Sequence, residues 1–279
     1  MVDRCYHCRC REAEAYGREN GYSLVRCSKC RLLYVSNPPD PGTISEAARQ
    51  GIHEGEETFD ATGRFRAWRL PILRRRLQRL FPGPDGFEGV GRWLDVGCGH
   101  GELLAAVREL APEVAVRGTE PNERKQESAR SRGFDVSFFD LATHEETYDV
   151  VSLMNVYSHL PDPPGFLAMV RRLLRPGGRV ILQTGDIGAF EDRPIPRPWY
   201  LPDHLSFASE AIVREMLEHG GFEVQRVAKF RYLEPTVPIF AKEAVKFLLP
   251  GRPSRLGDLL RGAPEADMHV LARTTDAAS

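Results

Sequence analysis

RWLDVGCGHG, residues 92–101, decides the fold of this 279-residue chain. Its first half is a short apolar strand pattern, and the glycines at 97, 99 and 101 allow a tight turn that a ligand can approach closely. A helix pattern follows at once, with an apolar face formed by Leu103, Leu104, Val107 and Leu110. Because a helix N-terminus offers free backbone amides, this strand, turn and helix predict a ligand site.

Strand and helix patterns continue to alternate downstream of this turn. The strand patterns cover Val114–Thr119, Phe134–Phe139, Tyr148–Met154 and Arg179–Thr184, and a last one covers Met268–Ala272. Such alternation is typical of a parallel sheet with helices on both faces and with ligands at the carboxyl ends of its strands. The predicted fold class is therefore α/β, a doubly wound Rossmann-like sheet.

Two cysteine pairs near the N-terminus have metal-ligand spacing. Cys5 and Cys8 form the first pair and Cys27 and Cys30 the second, each with two residues between the thiols. Four thiolates complete the tetrahedral shell that zinc prefers, which predicts a closed, structural zinc site in a ribbon. Two alternatives stay open, a redox pair and a site in which Cys10 or His7 replaces one ligand.

The composition changes along the chain and predicts three regions. The proline-rich stretch NPPDPG at residues 37–42 marks a boundary. From Ala61 to Leu80 the chain carries seven arginines and no acid, interleaved with apolar residues. We predict a zinc ribbon at 1–38, a linker and arginine-rich helical cap at 39–88, and a Rossmann-like domain at 89–275 with a lid insertion near 186–208.

Charge and hydropathy exclude some classes of partner. The chain has 38 Lys plus Arg against 39 Asp plus Glu, a net charge of −1, so wholesale electrostatic capture of nucleic acid is not implied. The longest stretch without charged residues is Val150–Pro161, whereas a membrane span needs about 20 apolar residues. The N-terminus lacks the apolar stretch of a secretory signal, so we expect a cytoplasmic protein.

The glycine turn also separates two cofactor classes. A dinucleotide site needs G-x-G-x-x-G, and Glu102 stands where the third glycine would fall. The chain instead resembles the class I S-adenosylmethionine (SAM)-dependent methyltransferases, whose first motif is similar to LDVGCGHG. The resemblance continues through the segments Glu120–Asn122, Asn155–Pro163, Leu174–Gly178, Asp203–Ser209 and His219–Phe222.

The resemblance implies SAM as cofactor and assigns roles to matching positions. Gly97, Gly99 and Gly101 would let loop amides meet the amino-acid end of SAM, with Asp95 supporting the loop or the ammonium group. Glu120, beside Pro121, would accept the ribose hydroxyls. Further cofactor contacts are expected from Asp140 at the adenine amino group, Phe139 or Leu141 over the ring, Asn155 and Tyr157 at the mouth, and Cys98 as a packing residue in the loop.

The expected catalytic groups lie after the fourth and fifth strands of the pattern. His204 is the preferred general base and His159 the second candidate, because the pKa of histidine suits proton transfer near neutrality. Asp203 is a further candidate, although neighbours on an extended chain point to opposite faces, so it need not orient His204. Trp199 and Tyr200 are candidate substrate-binding residues that could equally be packing residues.

These patterns favour methyl transfer to a small-molecule acceptor. The resemblance extends to ubiquinone-type O-methyltransferases and to zinc-bearing sugar C-methyltransferases, so oxygen is the favoured acceptor, with sugar or sugar-nucleotide carbon next, in natural-product or polysaccharide biosynthesis. One alternative is a zinc-ribbon rRNA base methyltransferase that binds RNA through the basic segment 64–79. Another is a noncatalytic zinc adaptor. The sequence leaves the oligomeric state open.

Overall fold

The computed structural model describes residues 2–53, 56–57, 64–190, 194–231, 237–248, 254, 256–261 and 264–275. The predicted cap and the predicted lid insertion each include positions outside these ranges. The strands are β1 (Ala13–Glu19), β2 (Tyr22–Cys27), β3 (Leu33–Val35), β4 (Ile52–His53), β5 (Glu56–Glu57), β6 (Arg92–Val96), β7 (Ala115–Thr119), β8 (Asp135–Ser137), β9 (Tyr148–Met154), β10 (Leu174–Gly185), β11 (Ser206–Phe207), β12 (Phe222–Phe230) and β13 (Asp267–Thr274). The helices are α1 (Pro41–Gln50), α2 (Leu70–Leu80), α3 (Glu102–Leu110), α4 (Glu123–Arg130), α5 (Pro163–Arg172), α6 (Glu210–His219), α7 (Val237–Leu248) and α8 (Leu256–Arg261).

A seven-stranded sheet in the order β12-β13-β10-β9-β6-β7-β8 carries the candidate site. The five strands from β10 to β8 in this order are parallel, as the alternating pattern predicts, whereas β13 pairs antiparallel with both β10 and β12. Strand β6 pairs with β7 on one side and β9 on the other, so the chain changes direction across the sheet there. The carboxyl end of β6 is therefore the place where an α/β sheet binds ligands.

The apolar composition of these strands follows from burial on both faces. Trp93, Leu94, Val150 and Val151 are all fully buried, because helices cover each side of the sheet. Strand β10 begins at Leu174, five residues before the predicted strand Arg179–Thr184, and its register to β9 shifts between Leu174 and Arg179. The fold class predicted from the sequence is confirmed.

A second, four-stranded sheet contains the cysteine ribbon. Strands β1, β2 and β3 pair antiparallel, and β11 from the predicted lid segment pairs with β3 through Ser206 opposite Tyr34 and Phe207 opposite Leu33. The lid segment is therefore joined to the ribbon by backbone hydrogen bonds. This long-range pairing does not follow from any local pattern in the sequence.

Both proline-containing segments before the main sheet start helices. Asp40 caps α1 by accepting the amide of Thr43, and Pro41 is the first helical residue. Pro71 lies in the first turn of α2, where a proline leaves no hydrogen bond unmade. Helix α2 buries Leu73, Leu77 and Leu80, which share an apolar cluster with Trp93 of β6 and Leu103 of α3. No helix in the described part of the chain is both long and apolar enough to cross a bilayer.

Candidate active site

The glycine loop after β6 has the backbone geometry that glycine permits. Gly97, Gly99 and Gly101 have φ values of 69°, 56° and 88°, in the region that other residues rarely adopt. A Cβ at Gly97 would lie 2.9 Å from Val156, whereas a Cβ at Gly99 would meet nothing within 4 Å. The loop is therefore packed at its start and open at its middle, where a ligand can approach the backbone.

The loop amides themselves bond within the fold. Gly97 and Cys98 donate to the carbonyl of Thr119, and Gly101 donates to the carbonyl of Cys98. The amide of Gly99 donates to Glu120 Oε2 at 2.9 Å. These amides therefore all have partners within the fold, and their expected contact with the amino-acid end of SAM stays a prediction. The open surface at Gly99 is what the loop offers to a ligand.

Glu120 lies at the end of β7 and is 4% exposed. Besides the Gly99 amide, its carboxylate accepts the amide of Asn122 at 3.0 Å, and burial raises its pKa. Each carboxylate oxygen has a further lone pair, so these bonds leave acceptor capacity for hydroxyl groups. Its neighbour Pro121 is half-buried in the same turn.

Asp95 adds a second buried acid beneath the loop. It is 2% exposed at the end of β6, and Ser152 Oγ donates to its Oδ1 at 2.6 Å. Burial raises the pKa of Asp95 to about 7, with further repulsion from Glu120 and Glu102. Three carboxylates around one loop create a negative potential, which fits a cationic ligand.

The residues after β8 divide between exposed and packed positions. Asp140 is exposed and accepts the amide of Ala142 at 2.8 Å, while Leu141 is buried. Phe139 stacks on His144, with ring centroids 4.1 Å apart, so one face of its ring is covered by a side chain of the protein itself. Phe138, which the sequence analysis did not select, is 51% exposed. Alternation along the predicted strand Phe134–Phe139 is the signal that would have identified it, because neighbouring side chains on an extended chain point to opposite faces.

Cys98 is a packing residue in this structure. It is buried, and its sulfur lies where a Cβ on Gly118 would come within 2.5 Å. Burial raises its pKa, so the side chain stays a thiol. This agrees with the packing role expected from the sequence.

Two histidines from distant segments meet beyond the end of β9. The ring centroids of His159 and His204 are 4.9 Å apart at an interplanar angle of 62°. Nδ1 of His159 donates to the carbonyl oxygen of Asp203 at 2.7 Å, and its Nε2 lies 3.4 Å from the Asn155 amide nitrogen. The structure therefore brings His159, His204, Asp203 and Asn155 together, and Asp203 contacts His159.

His204 has the hydrogen bonding of a neutral base. Its Nδ1 donates to the carbonyl oxygen of Trp199 at 3.1 Å, which assigns the lone pair to Nε2. Burial, reinforced by the nearby His159, lowers the pKa of His204 to about 4. The imidazole is therefore uncharged at neutral pH.

Two residues expected at the substrate or cofactor mouth are buried elsewhere. Trp199 is 5% exposed and packs in an apolar cluster with Leu24 and Leu33 of the ribbon. Tyr157 is 1% exposed, and its hydroxyl lies 2.7 Å from that of Tyr6, also in the ribbon. Neither side chain is available to line an open mouth, because each one seals the contact between ribbon and main domain. Local sequence carries no signal for that contact.

Tyr200 differs from its neighbour Trp199. It is 39% exposed, has a φ of 59°, and its ring meets that of His204 edge-on at 6.1 Å. A tyrosine with positive φ is strained, and such strain persists only where the surroundings hold it. Tyr200 is thus the aromatic residue of this turn that can contact a ligand.

The four ribbon cysteines converge as the spacing predicts. All four sulfurs lie within 4.8 Å of one another, with Cys5 to Cys30 at 3.6 Å and Cys8 to Cys27 at 3.4 Å. A tetrahedral zinc with bonds of about 2.3 Å requires sulfurs about 3.8 Å apart, so this donor set fits the ion. His7 bonds to Glu215 and Cys10 to the carbonyl of Glu12, which places both outside the cluster.

A cavity of about 950 Å³ lies apart from the glycine loop, between the ribbon, α5 and α6. Arg9, Arg171, Arg172 and Arg175 are among its lining residues. Arg172 donates to backbone carbonyls and Arg175 pairs with Asp149 at 2.8 Å, so these two guanidinium groups bond within the fold. The cavity involves none of the candidate catalytic residues.

Comparison with known proteins identifies relatives of the main domain. Residues 64–227 match the family model described as methyltransferase domain. The chain is 30% identical over 220 residues to the ubiquinone biosynthesis O-methyltransferase of Rhizobium leguminosarum bv. trifolii, covering 68% of this chain and 81% of that one. The protein of the same name from Aeromonas salmonicida is 29% identical over 160 residues, which span 50% of this chain and 66% of that one.

Solved structures give the same fold. The chain superimposes on a SAM-dependent methyltransferase from Archaeoglobus fulgidus with a TM-score of 0.53 and 19% identity. The match covers 74% of this chain and 94% of that one. At this identity the likeness concerns the fold alone.

Proposed function

The chain belongs to the SAM-dependent family of methyltransferase domains, and on that premise we propose that it methylates a small-molecule acceptor, with an acceptor oxygen favoured. The observation that carries the proposal is the glycine loop at the end of β6. It is open at Gly99 and has Glu120 bonded to it and Asp95 buried beneath it. This arrangement supports a ligand that carries positive charge and hydroxyl groups.

Bound SAM would supply an electrophilic methyl group on a sulfonium, and the fit to the loop assigns parts of it to particular residues. Glu120 would accept the ribose hydroxyls through its remaining lone pairs. Asp95, buried beneath the loop, would attract the positive charge of the bound SAM. Asp140 and the exposed ring of Phe138 would lie at the adenine, and Asn155 at the end of β9 would lie near the transferred methyl group.

The chain's own work in the reaction is orientation and proton removal. Holding an acceptor in line with the methyl group is worth about 7–11 kcal/mol, and a general base typically adds about 10²–10⁴-fold. His204 Nε2, with its lone pair fixed by the Nδ1 bond to Trp199, would accept the acceptor's proton. Tyr200 would contact the acceptor beside it.

The low pKa of His204 favours an acidic acceptor. A base with a pKa of about 4 removes a phenolic proton more readily than that of an aliphatic alcohol. The relatives named ubiquinone biosynthesis O-methyltransferases support an oxygen acceptor. Methylation at a sugar or sugar-nucleotide carbon is the second candidate.

We also propose that Cys5, Cys8, Cys27 and Cys30 bind one structural zinc ion. The sulfur separations fit a tetrahedral site, and four protein ligands leave no position for a substrate. Metal analysis of the purified protein should give one zinc per chain. A Cys8→Ser variant should contain much less.

Calorimetry with SAM tests the cofactor site. Glu120→Ala should weaken SAM binding at least tenfold, whereas Glu123→Ala, which removes an exposed acid three residues away, should leave the dissociation constant unchanged. A wild-type protein that holds zinc and folds but does not bind SAM would overturn the proposal.

Methyl transfer from isotopically labelled SAM to a panel of phenols, catechols and sugar nucleotides tests the acceptor. Labelled phenolic ether is the expected product. Transfer only to sugar-nucleotide carbon would replace the oxygen assignment, and SAM binding without transfer to either class would remove both.

A further inference from the structure

We infer that Glu19, at the end of strand β1 in the ribbon, is a positioning residue for His204. The inference rests on the proposed methyl transfer and makes the ribbon part of the apparatus that presents the base to the acceptor. Glu19 belongs to no motif of the main domain and is not among the site residues predicted from the sequence.

The carboxylate of Glu19 bridges two amides of the lid segment. Oε2 accepts the amide of Trp199 and Oε1 that of Leu201, each at 3.0 Å, and the side chain is 12% exposed. These amides flank Tyr200, whose φ of 59° costs energy for a residue with a side chain. Glu19 therefore clamps both sides of a strained turn.

The clamped turn in turn holds the imidazole of His204. The carbonyl of Trp199 accepts from His204 Nδ1 at 3.1 Å, and the carbonyl of Tyr200 accepts from the His204 amide at 3.0 Å. Moving the turn would release the bond that keeps the proton on Nδ1. Glu19 bonds the amide of Trp199, five residues before His204. The position and tautomer of His204 therefore depend on that contact.

Neighbours of Glu19 bind the same lid segment. Asn20 donates its side-chain amide to the carbonyl of Leu201 at 2.8 Å, and the hydroxyl of Tyr16 accepts the amide of Ile195 at 3.0 Å. A Cβ at Gly17 would lie 2.5 Å from the Trp199 ring, so the strand approaches the lid as closely as a glycine allows. Several residues at the end of β1 thus contact this turn and the lid segment before it.

Glutamine is the informative replacement at Glu19. Its single carbonyl oxygen can accept one of the two amides, while its NH₂ group would face the other amide, donor against donor. The matched control is Glu14→Gln on the same strand, where the glutamate is exposed and its carboxylate lies 3.8 Å from the guanidinium of Arg31.

The test uses the full-length, zinc-loaded protein. Glu19→Gln should lower kcat about 10- to 100-fold, the range expected when a catalytic group is displaced by about 1 Å. The dissociation constant of SAM and the zinc content should stay within twofold of wild type. In ¹⁵N NMR spectra, wild-type His204 should carry its proton on Nδ1, and Glu19→Gln should shift the signal toward a tautomer mixture. Glu14→Gln should change none of these.

Three results would overturn the inference. The first is an unchanged kcat in Glu19→Gln, and the second is a wild-type His204 protonated on Nε2. The third is a fall in kcat accompanied by an equal loss of SAM binding or zinc, which would make Glu19 a general stability residue. Should Glu19→Gln fail to fold, Glu19→Asp keeps the charge but is too short to span both amides, and the same measurements apply. The NMR readout needs no turnover, so failure of the proposed function would be distinguishable.

Discussion

Asp95 and Glu120 are buried acids beside the glycine loop, and their burial is unfavourable in the absence of a cation. Burying a carboxylate is unfavourable unless a charge or hydrogen bonds compensate, and the pKa of each group is raised accordingly. Ser152 compensates part of this at Asp95, and two amides do so at Glu120. A cationic ligand would compensate the remaining cost of burying these charges. Because the cation favours the ionised carboxylates, its binding is coupled to proton release.

SAM binding should therefore weaken as the pH falls. With a pKa of about 7, Asp95 is mostly protonated at pH 6 and mostly ionised at pH 7.5, and the cation favours the ionised form. We expect the dissociation constant to rise roughly five- to tenfold between pH 7.5 and pH 6. Calorimetry at several pH values measures this. Asp95→Asn should bind SAM more weakly at pH 7.5 and lose the pH dependence, and a wild-type constant that does not change with pH would contradict the account.

Trp199 and Tyr200 should respond differently to truncation. Trp199→Ala removes a side chain packed inside the contact between ribbon and lid and should lower the free energy of unfolding by about 3–5 kcal/mol. Tyr200→Ala removes a half-exposed ring and should cost less than about 1 kcal/mol. Denaturant titration measures both values. In turnover assays, Tyr200→Ala should instead raise the KM for the acceptor, and equal losses of stability in the two variants would refute the distinction.

Among the elements, the arginine-rich helix α2 shows how a basic segment can be structural. Arg76 pairs with Asp267 Oδ2 at 2.6 Å, both side chains 13% exposed, and its guanidinium lies 5.0 Å from the centroid of the Phe230 ring. Arg74 pairs with Glu109 at 2.8 Å nearer to solvent. Two of the charges that suggested an RNA-binding surface thus contact the protein's own acids, which favours the cap interpretation.

Replacing these two arginines one at a time should show that the more buried ion pair contributes more to the free energy of unfolding than the exposed pair. Arg76→Ala removes the charge partner of Asp267, which keeps its hydrogen bond from Gln183 Nε2, and should lower the free energy of unfolding by about 2–4 kcal/mol. Arg74→Ala should cost at most about 1 kcal/mol, because an exposed pair gains little. Denaturant titration of both variants decides the matter, and a larger loss for Arg74→Ala would be incompatible with these contacts.

Local sequence patterns predicted the strands and helices well, but they do not predict contacts between segments that are far apart in the chain. The glycine loop, the parallel strands and the cysteine cluster are each encoded within short stretches, since glycine conformation, apolar periodicity and ligand spacing are local properties. Tyr157 and Trp199 pack against Tyr6 and Leu24, more than 150 residues away, and no periodicity records such a partner.

At the scale of the whole molecule, the ribbon and the lid form one sheet and share one apolar cluster. Metal at the four cysteines would stabilise strands that hold the turn from Trp199 to His204. The glycine loop, by contrast, connects β6 and α3 of the main domain and lies outside the sheet that contains the ribbon. Loss of metal should therefore affect the acceptor side of the site before the cofactor side.

Zinc removal should lower turnover strongly while SAM binding persists. After chelation, or in a Cys5→Ser variant, kcat should fall more than tenfold and the lid near residues 194–205 should become sensitive to limited proteolysis. The dissociation constant of SAM should change less than threefold. Restoring zinc to the chelated protein should restore both activity and protection. Full activity in protein stripped of metal would show that the ribbon does not support the lid.

The pairing of β11 with β3 has a consequence during synthesis. The edge of β3 emerges from the ribosome roughly 170 residues before its partner does, a delay of about 9–34 s at about 5–20 residues per second. In that interval the nascent chain presents an uncovered strand edge and the apolar residues Leu24 and Leu33, which later pack on Trp199. Early capture of the metal would hold this segment in shape until its partner arrives, so cells starved of zinc should accumulate the protein in chaperone-bound or aggregated form.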